Sequence, residues 1–284
     1  MGKIKLKSKD ARRLQLYFRA AFSSEEMDPA VRERLQRMRL IFTVTNGRSG
    51  TGLLAQLFSC LDGVRAEHEA KPGFEYLMRD THRSPSVCRR YLSSIHLPEI
   101  ARSAEDTYVD TSHLFSKGWI EHALSLGLTF DAVVLTRDAR KTACSMYRLN
   151  TIPRRTRIGR WFYMSPNVGT ITRLEDPAKM TDYQLCYWHA LETEARQEHY
   201  ARVLPEKGVG LAQADCDVLT KGGFERLADA LGIEIGAEAA ERLRAVSSQV
   251  VNPKRKKAKR TRVVPSVDQL DEEERQVRAL LRVS

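Results

Sequence analysis

The sequence predicts an α/β fold in which a central parallel sheet is flanked by helices. Residues 40–58 and 131–148 carry this prediction, because each segment holds a short apolar strand, a polar turn and an amphipathic helix. Further strand-like runs within residues 63–74, 107–115 and 209–212 alternate with helical patterns. Alternation of this kind is typical of a parallel sheet covered on both faces, which binds ligands beyond the carboxyl ends of its strands.

Composition and charge favour a soluble protein with polyanionic ligands. The chain has 284 residues, 42% of them hydrophobic, and a formal net charge of +11. Such a charge suits a nucleotide, and it suits nucleic acid or an anionic membrane equally well. The five cysteines are an odd number without a Cys-x-x-Cys pair, which predicts reduced, buried thiols and a cytoplasmic location. No metal site is predicted.

Residues 1–39 are charged and favour helix, so they predict an N-terminal helical arm that is either packed or mobile. The arm contains no apolar run long enough for a signal peptide or a membrane span. The myristoylation pattern also fails, because Leu6 stands where a Ser or Thr is needed.

The first strand leads into the loop that organises the chain. Residues 40–45 (LIFTVT) read as a buried strand, residues 46–52 (NGRSGTG) as a tight turn, and the following residues as a helix. Successive backbone N–H groups and the helix dipole then point at one spot, which predicts a site for phosphate or sulfate. The simpler alternative is a glycine turn that only joins a strand to a helix.

The loop lacks the groups that bind a magnesium nucleoside triphosphate. Gly47 and Gly52 have the Walker separation, but Leu53 and Leu54 stand where the Lys and the hydroxyl should be. Instead, residues 45–51 (TNGRSGT) resemble the 5′-phosphosulfate loop of sulfotransferases that use 3′-phosphoadenosine 5′-phosphosulfate (PAPS). The resemblance is nearer to the tyrosylprotein, Golgi-type carbohydrate and bacterial branches than to the cytosolic branch. It implies a P-loop-type three-layer fold and the PAPS-binding residues Asn46, Gly47, Arg48, Ser49, Gly50, Thr51 and Gly52.

A second strand–helix junction matches the same family. Residues 131–136 (DAVVLT) read as a strand, and Asp138 is placed as the N-cap of the next helix. In sulfotransferases, an Arg at the end of such a strand and a Ser eight residues later bind the 3′-phosphate. Arg137 and Ser145 have that spacing, a little over two helical turns, so both side chains can reach one phosphate.

A catalytic base is expected, because the acceptor loses a proton as the new bond forms. In the tyrosylprotein branch that base is a Glu 21 residues after the loop Arg, and the same count from Arg48 arrives at Glu69. His68 and Glu67 are the next candidates. If the segment is extended, His68 faces away from Glu69. A solvated charged turn is the alternative.

His113 is a competing candidate for the base. Residues 111–114 (TSHL) loosely resemble the Lys-Thr-His-Leu segment that carries the catalytic His of cytosolic sulfotransferases. The match is incomplete, since no Lys precedes His113. His113 could accept the proton, orient the acceptor, or be a satisfied buried histidine.

Two basic segments complete the chain. Residues 153–164 combine four Arg with three aromatic residues, which fits a lid or acceptor loop as well as a solvated loop with a hydrophobic foot. Residues 254–262 are a basic run that precedes a terminal helix; a linker is the usual role, and contact with the 3′-phosphate is the alternative. We therefore divide the chain into the arm, a sulfotransferase core at residues 40–235 and a basic C-terminal extension with a terminal helix at residues 236–284.

The resemblance implies transfer of a sulfuryl group from PAPS to a hydroxyl or amine, without a metal. The expected catalytic residues are Glu69, Arg48, His113 and His68. The acceptor is expected to be a carbohydrate, a lipid-linked compound or another small metabolite, with no obligate nucleic acid and with homodimerisation left open. Two alternatives are a P-loop kinase for a small molecule or nucleoside, and a basic nucleic-acid-binding protein without catalysis.

Overall fold

The structure, a computed structural model, describes residues 8–248 and 262–283. Its centre is a sheet of five strands that all run parallel, so the predicted α/β fold class is confirmed. A separate antiparallel pair lies outside this sheet. The strands are β1 (Arg39–Thr45), β2 (Val64–Glu67), β3 (Thr107–Asp110), β4 (Asp131–Thr136), β5 (Thr172–Leu174), β6 (Gly210–Asp215) and β7 (Leu281–Val283).

The order of the strands in the central sheet is β2-β3-β1-β4-β6. β1 and β4 are neighbours, and their register places Thr45 opposite Leu135. The loop after β1 and the turn after β4 therefore leave the same edge of the sheet side by side. Parallel strand ends that meet in this way bring the two predicted anion-binding motifs together.

Helices cover both faces of the central sheet. They are α1 (Ser8–Ala21), α2 (Pro29–Arg37), α3 (Thr51–Phe58), α4 (Pro85–Tyr91), α5 (Leu97–Ala101), α6 (Trp119–Ser125), α7 (Ala139–Arg148), α8 (Arg157–Phe162), α9 (Asp182–Glu206), α10 (Phe224–Ala230), α11 (Ala237–Ser248) and α12 (Val267–Leu280). A π-helical turn, Leu92–His96, joins α4 to α5, and short turns of 3-10 or π helix lie at Phe74–Tyr76 and between Cys216 and Gly223.

Alternate residues of β1 fill the cores on the two sides of the sheet. Phe42 and Val44 pack into the core beneath α4, α6 and the C-terminal half of α9. Ile41 packs into the opposite core with α3, α10 and α11. Both sets are buried, which explains why β1 reads as a nearly continuous apolar run instead of an alternating pattern.

Residues 8–37 of the N-terminal arm pack against the core. α1 contacts α4, and Arg13 donates hydrogen bonds to the Tyr76 carbonyl at 3.0 Å and to the Asp80 carboxylate at 2.9 Å. Asp28 is the N-cap of α2, since its side chain accepts from the N–H of Ala30. Of the two states that the sequence left open for the arm, residues 8–37 have the packed one.

The C-terminal extension also folds back onto the core. β7 pairs antiparallel with β5, and α12 packs on α9, where Glu274 binds Arg140 and Tyr183. Residues 254–261 of the basic run lie outside the described residues. Arg262, its last residue, pairs with Asp182. No helix of the described ranges is long and apolar enough to cross a membrane.

Candidate active site

The predicted glycine turn lies where β1 leaves the sheet. The Thr45 hydroxyl donates to the Leu135 carbonyl at 2.8 Å, and the buried Gln197 side chain of α9 bridges the carbonyls of Val44 and Leu135. These bonds fix the ends of β1 and β4 relative to each other. The loop that follows is thus held by a rigid edge of the sheet.

The turn carries two residues with positive φ. Arg48 has φ +79° although it is not glycine, and Gly50 also has φ +79°. A non-glycine residue in this region costs free energy and often marks a functional loop. Gly50 is the N-cap of α3 and has no side chain to accept from the first helical N–H groups. Backbone donors at the start of α3 are therefore left for an external anion.

Close packing around position 47 leaves no room for a side chain and requires a glycine there. A Cβ atom placed on it would lie 2.8 Å from the Tyr163 hydroxyl oxygen and 3.1 Å from Cε1 of His113. Real Cβ atoms essentially never approach other heavy atoms below 3.0 Å. The glycine turn, His113 and Tyr163 are consequently in direct contact, and His113 belongs to the site that the sequence placed at residues 46–52.

Side chains of the two predicted motifs meet at this turn. Arg48 Nε donates to the Ser145 hydroxyl at 3.2 Å, across 97 residues of sequence. Arg137 donates through Nη1 to the backbone carbonyl of Arg48. The guanidinium of Arg137 therefore points at the glycine turn, and Ser145 on α7 lies on the same side. Three of the predicted PAPS-binding residues form one connected group.

Several buried polar atoms of this group have no partner among the described residues. Both amide atoms of Asn46 and the Nε of Arg137 are inaccessible to solvent and unpaired there. Buried polar groups are nearly always hydrogen-bonded in folded proteins, so such atoms call for an explanation. A bound anion or nucleotide next to the turn would supply acceptors for the Asn46 amide and the Arg137 guanidinium. Ser49 and Thr51 are also buried.

The segment around His68 is not extended, so the condition under which the sequence placed His68 opposite Glu69 does not hold. Glu69 has φ +57°, so the chain turns sharply after β2 and is not extended here. His68 Nε2 lies 3.8 Å from Glu69 Oε1, which places both side chains on one side. His68 also lies beside the loop, because its Cδ2 is 3.7 Å from a Cβ placed on Gly52. Glu67, the third candidate, is held by Arg65 and by the Tyr108 hydroxyl.

His113 is buried and paired with a residue that the sequence reasoning missed. Its Nδ1 lies 2.7 Å from the Nζ of Lys117, which also donates to the Phe162 carbonyl at 2.8 Å. Both side chains are almost fully buried, with relative exposures of 3% and 2%. Burial lowers the pKa of His113 and of Lys117 well below their usual values, and their mutual repulsion lowers that of His113 further. The imidazole is therefore neutral at physiological pH.

Lys117 stands on the other side of His113 from the lysine that the sequence comparison looked for. The prediction compared His113 with a family segment in which a Lys precedes the His, whereas here the Lys follows four residues later. Consecutive turns at residues 112–117 bring the two together. Lys117 also lies over the Tyr163 ring, 4.8 Å from its centroid. His189 of α9 packs edge-on against the same ring, with both ring nitrogens unpaired among the described residues.

Charges around the glycine turn act on one another. The carboxylate of Glu69 opposes the lowering of the Lys117 pKa, and it contributes to a raised Tyr163 pKa of about 12, for which burial is the main cause. Arg48 lowers the pKa of both His113 and Tyr163. A developing negative charge here would meet an arginine, a buried lysine and backbone donors. Within residues 8–248 and 262–283, no three His, Cys, Asp or Glu side chains are grouped as metal ligands.

The fold and the site thus define an α/β protein with a glycine-rich loop at the carboxyl edge of a parallel sheet. No protein-family model and no curated protein sequence matches the chain. Solved structures do show similarity. A sulfotransferase domain from the curacin biosynthetic pathway has 12% identity and a TM-score of 0.49, covering 85% of this chain and 98% of that domain.

Two further solved structures are similar to this chain. The sulfotransferase STF1 from Mycobacterium tuberculosis H37Rv has 11% identity and a TM-score of 0.47, covering 95% of this chain and 93% of its own. A sulfotransferase domain from the olefin synthase of Synechococcus PCC 7002 has 13% identity and a TM-score of 0.45, covering 84% of this chain and 92% of that domain. At these values the case for an activity has to be made from the site itself.

Proposed function

We propose that the chain transfers a sulfuryl group from PAPS to a hydroxyl or amine of an acceptor. The observation that carries the proposal is the connected group of Arg48, Arg137 and Ser145 at the glycine turn. Two anion-binding motifs, 89 residues apart at their arginines, meet at adjacent strand ends. A ligand with two separate anionic groups, such as a 3′-phosphorylated adenylate, fits two adjoining sets of donors better than a single phosphate does.

The 5′-phosphosulfate would bind the glycine turn. Backbone N–H groups of residues 47–51 and the start of α3 supply donors, and the unpaired Asn46 amide supplies one more. Arg48 would offset charge on the bridging oxygen and on the sulfuryl group. Its positive φ holds the side chain at the turn, where Ser145 orients the guanidinium.

The 3′-phosphate would bind Arg137 and Ser145. Arg137 is held by its bond to the Arg48 carbonyl and still has an unpaired, buried Nε. A guanidinium can donate several hydrogen bonds to one phosphate, and the serine hydroxyl adds a neutral donor. Asp138 caps α7 by accepting from the Lys141 N–H at 2.7 Å, so it does not compete for Arg137.

In the transfer step, the acceptor oxygen or nitrogen forms a bond to sulfur while the bond from sulfur to the phosphate oxygen breaks. The acceptor proton passes to a base, and 3′-phosphoadenosine 5′-phosphate (PAP) leaves. We assign the base to Glu69, whose half-buried carboxylate adjoins His68. Its charge acts to raise the pKa of Lys117 and of Tyr163, so it lies near both side chains. His113 then stays neutral and packs against Gly47, which holds the glycine turn in place.

Transfer of radioactive sulfate from labelled PAPS to a panel of hydroxyl and amine acceptors tests the proposal. The reaction is expected to proceed in EDTA, because no step of the proposal uses a metal. Phosphoryl transfer from ATP, abolished by EDTA, would contradict it and would favour a kinase. Absence of both PAPS turnover and PAP binding would also contradict the proposal.

A further inference from the structure

A cavity of about 190 Å³ opens next to the glycine turn. Its floor contains buried side chains that include Lys117, Tyr163, Met164 and Met78. Its mouth is formed by residues that the proposed transfer does not use. The basic ones among them are Arg79, His82, Arg83, Arg154 and Arg160.

The cavity is strongly cationic. Four arginines surround it, and none of the four forms an ion pair with a carboxylate in the part of the chain that the structure describes. The acid next to Arg79 in sequence, Asp80, is paired with Arg13 instead. Burial and the positive charges of neighbouring arginines lower the pKa of Arg79. The positive charges at this mouth therefore have no carboxylate ion-pair partner among the described residues.

The backbone holds these arginines around the cavity. Arg79 Nε donates to the Arg160 carbonyl at 2.8 Å, which joins the segment after β2 to helix α8. Arg154 has φ +63°, a conformation that non-glycine residues rarely adopt. Residues 154–168 form one wall and include most of the basic and aromatic segment 153–164 noted in the sequence, and residues 78–83 form the other wall.

Two lining residues connect the cavity to the glycine turn, Tyr163 directly and Lys117 through His113. Tyr163 lines the cavity and also contacts Gly47, while Lys117 lines the cavity and contacts His113. A ligand held in the cavity would lie one side chain away from the turn that we assign to the phosphosulfate. His113, one of the candidate bases, contacts the cavity-lining Lys117, whereas neither Arg137 nor Ser145 lines the cavity.

We propose that this cavity binds an oxyanion on the acceptor, so that the acceptor is a small hydroxyl or amino compound that also carries a phosphate, sulfate or carboxylate. The proposal rests on the proposed function, since it names the acceptor of that site. Guanidinium groups bind such oxyanions through paired N–H donors. The volume lies below the roughly 300–1,000 Å³ of pockets for drug-sized ligands, which suits a small anionic group.

Calorimetry on the PAP-saturated protein tests the inference, because PAP occupies the nucleotide donors and leaves the cavity as the remaining oxyanion site. The probes are glycerol 3-phosphate, glycerate and uncharged glycerol. We expect at least one charged probe to bind at least tenfold more tightly than glycerol, and the two charged probes distinguish phosphate from carboxylate. We expect the double variant Arg83→Gln with Arg160→Gln to weaken that binding at least tenfold.

Arg202→Gln is the matched control, because Arg202 is exposed on α9 and does not line the cavity. It should leave probe binding within twofold, and the double variant should keep the wild-type affinity for PAP within twofold. Charged probes that bind no better than glycerol, or an equal loss in the control, would overturn the inference while PAP binding persists. Failure of PAP itself to bind would instead overturn the proposed function, and with it the role of the cavity as an acceptor site.

Discussion

Arg48 and Ser145 are joined by a hydrogen bond of 3.2 Å from Nε to the hydroxyl oxygen. Arg48 belongs to the turn after β1 and Ser145 to the helix after β4. The contact therefore links the segments that follow two neighbouring strands. Arg137 reinforces it by donating to the Arg48 carbonyl. Arg48, which we assign to the sulfuryl group, is thus held in place by Ser145, which we assign to the 3′-phosphate.

Arg48→Ala should nearly abolish turnover. The variant removes the charge that we place beside the bridging oxygen, and loss of one such donor typically costs about 10²–10³ in rate. The measurement is the rate of PAP formation from PAPS with a saturating acceptor, and Arg48→Lys is the matched variant that keeps the charge. A turnover of Arg48→Ala near that of the wild type would remove Arg48 from the mechanism.

Gly47→Ala should damage both stability and nucleotide binding. The new methyl group would lie 2.8 Å from the Tyr163 hydroxyl oxygen and 3.1 Å from His113 Cε1, both on buried rings. Such overpacking typically costs about 1–3 kcal/mol of unfolding free energy. Urea denaturation and PAP titration measure the two effects. Gly236→Ala is the control, because a Cβ there meets nothing within 4 Å. Equal behaviour of the two variants would contradict the packing argument.

Glu69→Gln and His113→Asn should separate the two candidates for the base. If Glu69 accepts the acceptor proton, Glu69→Gln lowers kcat by about 10²–10⁴, the usual contribution of a general base. Its affinity for PAP should stay within a few-fold of the wild type. His113→Asn should act mainly on PAP binding, because His113 packs against Gly47. The reverse pattern in kcat would make His113 the base.

Asp110→Asn should stabilise the protein, and more so at high pH. Asp110 is fully buried at the end of β3, and burial raises its pKa to about 7, against 3.8 for an ordinary aspartate. Between these two pH values the folded chain keeps a proton that the unfolded chain has lost. The free energy of unfolding therefore falls as pH rises through this window. The asparagine retains an oxygen that can accept from the Ser112 N–H, as Asp110 does at 2.8 Å.

The gain should be at most about 4 kcal/mol above pH 7, since one pKa unit corresponds to about 1.4 kcal/mol. It should shrink toward pH 4, where the aspartate is protonated in the folded state and increasingly in the unfolded one. Urea denaturation of both proteins at pH 5 and pH 8 measures the difference. A gain of equal size at both pH values would show that protonation of Asp110 is not its cause.

Most of the sheet could be predicted from local sequence. Apolar runs at residues 40–45 and 131–136 end in polar turns, so both strands and their helices were found where the structure has them. The convergence of Arg48, Arg137 and Ser145 could also be predicted, because neighbouring parallel strands have their carboxyl ends on the same edge of the sheet. The pairing of β5 with β7 could not be predicted, since these strands are 3 residues long each and far apart in sequence.

Side-chain directions around the candidate bases were harder to predict. Glu69 has a positive φ that no local propensity favours, so the surrounding structure determines it, and the chain at His68 and Glu69 is not extended. Lys117 was missed because turns, and not a helix or strand, bring it to His113. The cationic cavity combines residues 78–83 with residues 154–168, and only the folded chain places these segments face to face.

The most direct test of the central claim is a calorimetric titration with PAP and with adenosine 5′-phosphate, which lacks the 3′-phosphate. The wild type should bind PAP more tightly than adenosine 5′-phosphate, because Arg137 and Ser145 contact the 3′-phosphate. In Arg137→Ala that preference should fall about 10–150-fold, as expected for loss of a charged hydrogen bond worth roughly 1.5–3 kcal/mol. A wild type without heat of binding for PAP, or an Arg137→Ala variant that keeps the full preference, would contradict the account.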